Sequence, residues 1–529
     1  MQRQSFIAGT SILIGASLVT RVLGFVYRIA ITRLIGAEGI GLFQMVFPVL
    51  TLLLTIVSAG MGVAISKLVA ESLVCGDRRR IRRVLAVGFG TTGLLSAAAT
   101  ALLLLFGHWI ASRIFTDSRA FIPFITLIPI ISIIALSSVL RGYFQGLQIM
   151  STPSVASIIE TLIRIAGIWI IASLSLAKGL EFAAAGISAG MIMGELAGLG
   201  YMYAVYRRKA HVNLLTLAPQ TTAPEPWAAT VRAVLQLAIP VTLSRFIGSI
   251  AYAAEPILVT RSLLAAGVTA GAATRLYGEY SGMAIPLLIF PTVFTWSLAV
   301  QLVPSVSEAL ASRRSRAVER RLSQSFRVTA LVGFPTSLIL LQFATPLCAA
   351  IFHHQSVGAI LAVMAPAGFL LYLQAPLSGI LQGVNRAGIA MRNSLIGAAV
   401  KLAMIYFLAS QPQIGVMGVA YALTAAVVLT TLLHIGSIHR LIGFYVDIVD
   451  TAKIALCTIV MGVYMWLAWP LLQSAMRLSL ALLAVILSAL LLYMLLLLVT
   501  RTVTSHHLTR VPLVGASLAR IARAVPFAR

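Results

Sequence analysis

The sequence predicts an all-α integral membrane protein with about fourteen transmembrane helices, arranged as two six-helix lobes followed by two extra C-terminal helices. Of the 529 residues, 60% are hydrophobic and only 10% are charged, a balance that no soluble fold needs. The apolar residues fall into stretches of 18 or more, each long enough to cross a bilayer as a helix. An internal duplication then divides these stretches into two sets of six.

The predicted spans follow one another with short connections, so the chain has no room for a separate soluble domain. The spans cover residues 6–34, 40–70, 84–107, 120–146, 153–177, 182–206, 232–262, 276–305, 327–352, 357–383, 390–410, 415–438, 452–473 and 478–500.

The duplication appears as short strings that recur in the same order in both halves. RGYFQGLQ at 141–148 matches SGILQGVN at 378–385, and TRVLG at 20–24 matches SRFIG at 244–248. Arg164 lies 18 residues beyond Gly146, just as Lys401 lies 18 residues beyond Gly383. Six spans return the chain to its starting side, so both copies point the same way. We therefore expect a pseudo-two-fold axis along the membrane normal, with the cargo site between the lobes.

These patterns predict five segments. They are an N-terminal lobe at 1–210, a cytoplasmic linker at 211–230, a C-terminal lobe at 231–440, helices 13 and 14 at 441–500, and a basic cytoplasmic tail at 501–529.

The net charge of +25 follows the predicted topology rather than the pattern of a nucleic-acid binder. With the N-terminus inside, the cytoplasmic segments carry about 24 Lys and Arg and the external ones about five, as the positive-inside rule requires. The richest cytoplasmic loops are 78–83, 207–209 and 313–321. We therefore predict a multi-pass cell-membrane protein with both termini in the cytoplasm, no nucleic-acid partner, and anionic lipids as secondary contacts of the basic loops. The tail is either a short amphipathic helix on the inner leaflet or a disordered basic segment.

Charged residues inside the spans are the candidates for cargo binding, because a charge at the centre of a span costs ~2.5–3.5 kcal/mol to insert. Arginine suits phosphate, since its planar fork donates two parallel hydrogen bonds and stays charged. Glu160 and Arg164 are four residues apart on one helix and can pair, either as part of a binding site or as a structural ion pair. The substrate-binding candidates are Arg21, Arg28, Arg164, Arg245, Lys401, Glu160 and Glu255.

No pattern points to an enzyme. The chain lacks a P-loop, Gly-x-Ser-x-Gly, HExxH and CxxC, so we expect no catalytic residue. Three cysteines without metal-ligand spacing and two adjacent histidine pairs in loops predict neither a metal site nor a cofactor.

The span number, the duplication and the cationic span residues resemble the MOP exporter superfamily of lipid and polysaccharide flippases and drug exporters. Several strings look more closely like the stage V sporulation protein B family of endospore-forming bacteria. The strings are TRVLGFVYR (20–28), IGAEGIGLFQMVFP (35–48), VAISKLVAE (63–71), SSVLRGYFQG (137–146), SRFIG (244–248), EPI (255–257) and NSLIGA (393–398).

This resemblance implies a flippase that moves an anionic lipid-linked diphosphate oligosaccharide, similar to lipid II, to the outer leaflet by alternating access, for spore cortex peptidoglycan. Arg21 matches the first cavity arginine of the superfamily's MurJ-type lipid II flippases, and Arg28 is one residue later than the second. Their arginine pair in span 2 is replaced here by Leu54-Thr55, and their span-8 arginine has no counterpart.

Two other functions remain open at this stage. A multidrug exporter of the same superfamily, coupled to protons or sodium, would use the acidic span residues. A non-transporting membrane scaffold would recruit cell-wall synthases and tolerate changes at Arg21 and Arg245.

Overall fold

The computed structural model describes residues 6–58, 60–215, 226–312, 315–443 and 447–502, and over these ranges the chain is helical and contains no β-strand. The predicted tail helix at 510–529 and most of the predicted linker lie outside the described residues. The helices are α1 (Phe6–Ser58), α2 (Met61–Val74), α3 (Arg78–Ile114), α4 (Phe121–Leu127), α5 (Ile130–Gly146), α6 (Ser151–Ser175), α7 (Leu180–Leu215), α8 (Trp227–Ala265), α9 (Ala270–Tyr277), α10 (Ile285–Ile289), α11 (Thr292–Ala311), α12 (Ser315–Gln342), α13 (Ala344–Phe352), α14 (Ser356–Met364), α15 (Gly368–Gly383), α16 (Ala387–Ala409), α17 (Val416–Ile442), α18 (Ile448–Ala475) and α19 (Leu478–Val499).

Among the described residues, 13 helical stretches are long and apolar enough to cross a membrane. The first of them, Val19–Val74, holds 56 residues, about twice the length that one span needs. It is bent at Gly36, whose φ of 70° and ψ of −176° lie outside the helical region and suit a residue without a side chain. The stretch therefore contains the first and second predicted spans, and the count agrees with about fourteen.

Three predicted spans are not single helices. The eighth, predicted at 276–305, is divided into α9, a π-helical segment at Gly278–Ala284, α10 and α11. The fourth is broken between α4 and α5, and the tenth by a 3₁₀ turn at Ala365–Ala367. Pro129, Pro286 and Pro291 lie at or beside these breaks, where a missing N–H and a fixed φ interrupt the hydrogen-bond ladder.

The duplicated strings adopt the same local structure. Helix α5 ends at Gln148 and α15 at Asn385, and both residues have a left-handed φ of 59°. In each case the N–H of the following residue returns to a carbonyl five residues earlier, from Ile149 to Phe144 at 2.9 Å and from Arg386 to Leu381 at 2.8 Å. This is the Schellman pattern of helix termination.

The same strings also make equivalent helix contacts. A Cβ on Gly142 would lie 2.6 Å from the Gly62 carbonyl oxygen, and one on Gly379 would lie 2.8 Å from the Ala299 carbonyl oxygen. One turn later, Gly146 meets Val69 and Gly383 meets Val306, each at 2.8 Å. Every residue of the second set is 237 positions beyond its partner in the first. The two halves thus repeat one helix-packing arrangement, in which glycine allows backbones to approach closely.

The chain forms two compact units. The first comprises the described residues of Met1–Gly282 with Ile405–Val416, and the second those of Met283–Met404 with Met417–Arg529. The first unit has a core around Ile65, Val84, Val139 and Tyr143. The second has one core around Leu302, Leu322, Leu377 and Ile380, and another around Met461, Val485 and Tyr493.

Candidate functional site

Arg245 lines a cavity of about 480 Å³ in the first unit, between α1 and α8. The wall is rich in hydroxyl groups, and Thr55 Oγ1 lies 2.9 Å from Ser249 Oγ. The lining residues are Leu54, Thr55, Ser58, Ser244, Arg245, Gly248, Ser249 and Tyr252. The arrangement combines one guanidinium with several uncharged donors, which is a composition suited to an anion.

Small residues create the space in front of this arginine. A Cβ on Gly248 would meet nothing within 4 Å, so the helix surface one turn beyond Arg245 is open. Further along the same two helices the backbones touch, because a Cβ on Gly60 would lie 2.0 Å from the Ala238 carbonyl oxygen. The cavity therefore ends where glycine permits close packing.

Neither Arg21 nor Arg245 forms an ion pair with any residue that the structure describes. Both side chains are exposed. Arg245 lines the cavity, whereas Arg21 does not.

Arg28 lies among tyrosines. It is partly buried and interacts electrostatically with Tyr27, Tyr252 and Tyr277, and in the described part of the chain it has no acidic partner. Since Tyr252 also lines the Arg245 cavity, Arg28 is one tyrosine away from that space.

Glu255 is held by the π-helical segment that interrupts span 8. The Tyr280 hydroxyl donates to Glu255 Oε1 at 2.9 Å, and both groups are buried. π-Helical turns widen a helix and often occur at functional positions. Here the turn places Tyr280 against the acid of α8.

Glu160 and Arg164 form the ion pair that their spacing predicts, and the structure adds two partners. Arg164 bonds to Glu160 and also donates to Glu195 Oε1 at 3.0 Å. Arg141 donates to the other Glu160 oxygen at 2.7 Å. Both glutamates are less than 10% exposed, so this four-residue network is buried in the first unit. Lys401, the repeat counterpart of Arg164, lies half-buried on α16 of the second unit.

A glycine stripe brings the two helices of the network together. Gly186, Gly190, Gly194 and Gly198 recur every four residues on α7 and face α6. A Cβ on Gly194 would lie 2.7 Å from both the Arg164 Cβ and the Glu160 carbonyl oxygen. This close approach lets Glu195 reach across to Arg164.

A second ion cluster connects α1, the α3–α4 connection and α9. Arg119 Nη2 donates to Glu38 at 2.6 Å and to Asp117 at 2.8 Å, and the Thr274 hydroxyl donates to Asp117 at 3.0 Å. Burial alone would raise the pKa of Asp117, but the hydrogen bonds from Arg119 and Thr274 outweigh it and hold that pKa below its ordinary value. The aspartate is therefore ionised at neutral pH.

Sequence reasoning missed three features of these sites. It treated Glu195 and Arg141 as isolated charges, although the four-residue glycine spacing on α7 indicated a close partner helix. It also gave no role to the hydroxyls of Thr55 and Ser249, which no motif marks.

Comparisons with known proteins agree with this architecture. A model of the polysaccharide biosynthesis protein family matches residues 6–310, and a MatE family model matches residues 281–407. Stage V sporulation protein B of Bacillus subtilis (strain 168) is 37% identical over 520 residues, which is 98% of this chain and 100% of that protein. The lipid II flippase MurJ of the same bacterium is 24% identical and covers 75% of this chain and 76% of its own length.

Solved structures show the same fold. The lipid II flippase MurJ in an inward closed conformation has a TM-score of 0.62 at 15% identity, covering 91% of this chain and 96% of that one. A multidrug resistance MATE family transporter of the MOP superfamily in an inward-facing conformation has a TM-score of 0.60 at 16% identity, covering 80% and 94%.

Proposed function

The chain belongs to the polysaccharide biosynthesis protein family, together with stage V sporulation protein B, and on that premise we propose that it is a flippase for an anionic, lipid-linked diphosphate oligosaccharide. The cargo moves from the inner to the outer leaflet of the cell membrane by alternating access. The observation that carries this proposal is the cavity where Arg245 faces hydroxyl groups and no acid.

The cavity chemistry favours an anion over a cation. Arg245 supplies two parallel N–H donors for a phosphate, and the surrounding hydroxyls can donate to the remaining oxygens. The electrostatic environment of Arg28 is positive and lies next to Tyr252 in the cavity wall. A cationic drug would meet repulsion from both arginines.

The membrane potential can drive such a cargo outward. With a negative interior, each negative charge that leaves gains ~2.3 kcal/mol per 100 mV. The protein needs no ATP site for this step, and we assign it no catalytic residue and no cofactor.

The similarity to stage V sporulation protein B and to MurJ supports a lipid II-like precursor of spore cortex peptidoglycan as the cargo. Cell-wall synthases that use the flipped precursor are natural partners. Among the other candidates of the sequence, Arg21 and Lys401 supply further positive charge along the cargo path.

The basic loops support a cytoplasmic location for both termini. A cysteine at position 316, introduced after replacement of Cys75, Cys348 and Cys457, should resist a membrane-impermeant thiol reagent in intact cells. Ready labelling would reverse the orientation.

Substitution of Arg245 tests the proposed function. In liposomes that contain a lipid-diphosphate sugar, Arg245→Ala should reduce the flipping rate at least tenfold, which corresponds to a loss of ~1.4 kcal/mol. Arg245→Lys should retain part of the rate, because the charge survives but the bidentate fork does not. Arg261→Ala, on the same helix but bonded to the Arg113 carbonyl oxygen, is the matched control. A wild-type rate for a normally folded Arg245→Ala protein would overturn the proposal.

A further inference from the structure

Two buried glutamates touch each other in the α6–α7 network. Glu160 is 7% exposed and Glu195 8% exposed, and their carboxyl groups are hydrogen-bonded to each other. Two ionised carboxylates are acceptors only, so a hydrogen bond between them requires that one carries a proton. The geometry is therefore that of a proton shared by an acid pair.

The two arginines place the proton on Glu195. Glu160 accepts from both Arg141 and Arg164, whereas Glu195 accepts from Arg164 alone. Glu160 is thus the better-compensated anion, and Glu195 is the acid that gives up or takes up the proton. With the proton bound, the two arginines and one carboxylate leave one net positive charge; without it, the network is neutral.

The charged groups on the neighbouring helices do not cancel this difference. On α5 the only charged residue is Arg141, and α4 has none. On α6 and α7 the other charged residues lie towards the helix ends, at Glu181, Arg207 and Arg208. On α1, Tyr27 interacts electrostatically with Arg164 and with Arg28, so the nearest groups outside the network are a neutral phenol and a cation.

The network is connected to the cavity through that phenol. Tyr27 adjoins Arg164 on one side and Arg28 on the other, and Arg28 in turn adjoins Tyr252 in the cavity wall. An anion in the cavity would stabilise positive charge nearby, and the proton of the acid pair is a positive charge that can be added. A proton and an anionic cargo should therefore favour each other's binding.

We propose that the Glu160–Glu195 pair is a proton-binding site, and that binding of an anionic diphosphate in the Arg245 cavity drives proton uptake by this pair. The inference rests on the proposed function, because it takes its anion site from there. It assigns the network to coupling rather than to direct contact with the cargo.

Thermodynamic linkage sets the expected size of the effect. If one proton is taken up per diphosphate, the affinity for the diphosphate should rise by up to about tenfold for each unit that the pH falls, over the range in which the pair titrates. By reciprocity, the bound diphosphate should raise the proton affinity of the pair by the same factor.

The test measures binding and proton uptake together in detergent-solubilised, full-length protein. The probe is a short-chain isoprenyl diphosphate sugar, a diphosphate diester without a weakly acidic P–OH group, added in weak buffer with a pH indicator. Wild type should bind it and take up close to one proton. Glu195→Gln should bind it without proton uptake and lose the pH dependence of affinity. Glu181→Gln, which removes an acid from the first turn of the same helix, should behave as wild type.

A second measurement reads the acid directly. The infrared C=O band of a protonated carboxylic acid should appear on diphosphate binding in wild type and Glu181→Gln, and be absent in Glu195→Gln. Glu160→Gln should also abolish proton uptake, which gives a second variant should the first fail to fold. Undiminished proton uptake in Glu195→Gln, or diphosphate binding by wild type without uptake, would overturn the inference alone. Absence of diphosphate binding by wild type would instead refute the proposed function, and the inference with it.

Discussion

An arginine inside a membrane span can be stabilised in two ways, and this chain uses both. Arg164 is compensated by two glutamates of the protein, so its charge is satisfied whether or not cargo is present. Arg245 faces a cavity of hydroxyl groups without an acid, and its charge is best compensated by a bound anion. The same residue type therefore has a structural role at one position and a proposed binding role at the other.

The spacing of residues predicted only part of this distinction. Glu160 and Arg164 lie on one helix, and their separation of four residues fixes their contact. The contacts of Arg164 with Glu195 and of Glu160 with Arg141 join different helices, so they depend on tertiary packing that local spacing does not contain. Arg21 and Arg245 looked equivalent in sequence, yet only Arg245 lines the cavity.

Asp117 offers a test of electrostatics at a single residue. Its lowered pKa means that the folded state binds the proton less tightly than the unfolded state. Its stabilising contribution is thus complete above the ordinary aspartate pKa of about 3.9 and is lost as the pH falls through the lower folded value. We expect Asp117→Asn to reduce the free energy of unfolding by about 1–3 kcal/mol at pH 7.

Thermal unfolding in detergent between pH 7 and about pH 3 checks this prediction, since the difference between wild type and Asp117→Asn should shrink over the acidic part of that range. Asp77→Asn is a useful comparison, because Asp77 caps α3 through a backbone N–H and has no arginine partner among the printed contacts of its side chain. A difference for Asp117→Asn that is independent of pH would contradict the ionic account.

At the scale of helices, glycine decides where backbones touch. Gly194 allows α7 to contact α6 at the ion network, whereas a Cβ on Gly200 of the same helix would meet nothing within 4 Å. Gly194→Ala should therefore push the helices apart at Arg164 and cost about 1–3 kcal/mol of stability. Gly200→Ala should be neutral or stabilise the helix by up to about 1 kcal/mol.

Thermal unfolding of the two alanine variants, measured side by side, compares the same chemical change in two environments. Equal stabilities for Gly194→Ala and Gly200→Ala would show that the α6–α7 contact is looser than the structure has it.

Hydropathy was sufficient to locate the spans but not their breaks. An apolar stretch of 18 or more residues predicts a membrane helix whatever its hydrogen-bond pattern, so the division of the eighth span at 276–305 was not visible. The change from α to π geometry at Gly278–Ala284 depends on contacts such as that of Tyr280 with Glu255. Pro286 and Pro291 indicated an interruption there without indicating its form.

Across the whole chain, duplication has kept the packing and changed the charges. Gly142, Gly146 and Gln148 recur 237 residues later as Gly379, Gly383 and Asn385 with the same local geometry. At the same offset Arg164 becomes Lys401, but Glu160 becomes Gly397 and Arg141 becomes Ser378. The acid pair is therefore a feature of the first half, and this asymmetry is what a separate coupling site would require.

The most direct measurement of the central claim is reconstitution of the wild-type protein in liposomes with three cargoes of different charge. These are a lipid-diphosphate sugar, a neutral lipid carrying the same sugar, and an organic cation. We expect rapid flipping of the diphosphate only, faster when the side from which it leaves is held electrically negative. Transport of the cation without the diphosphate would identify a drug exporter, and movement of none of the three would leave a scaffold; either result would contradict a flippase for anionic lipids.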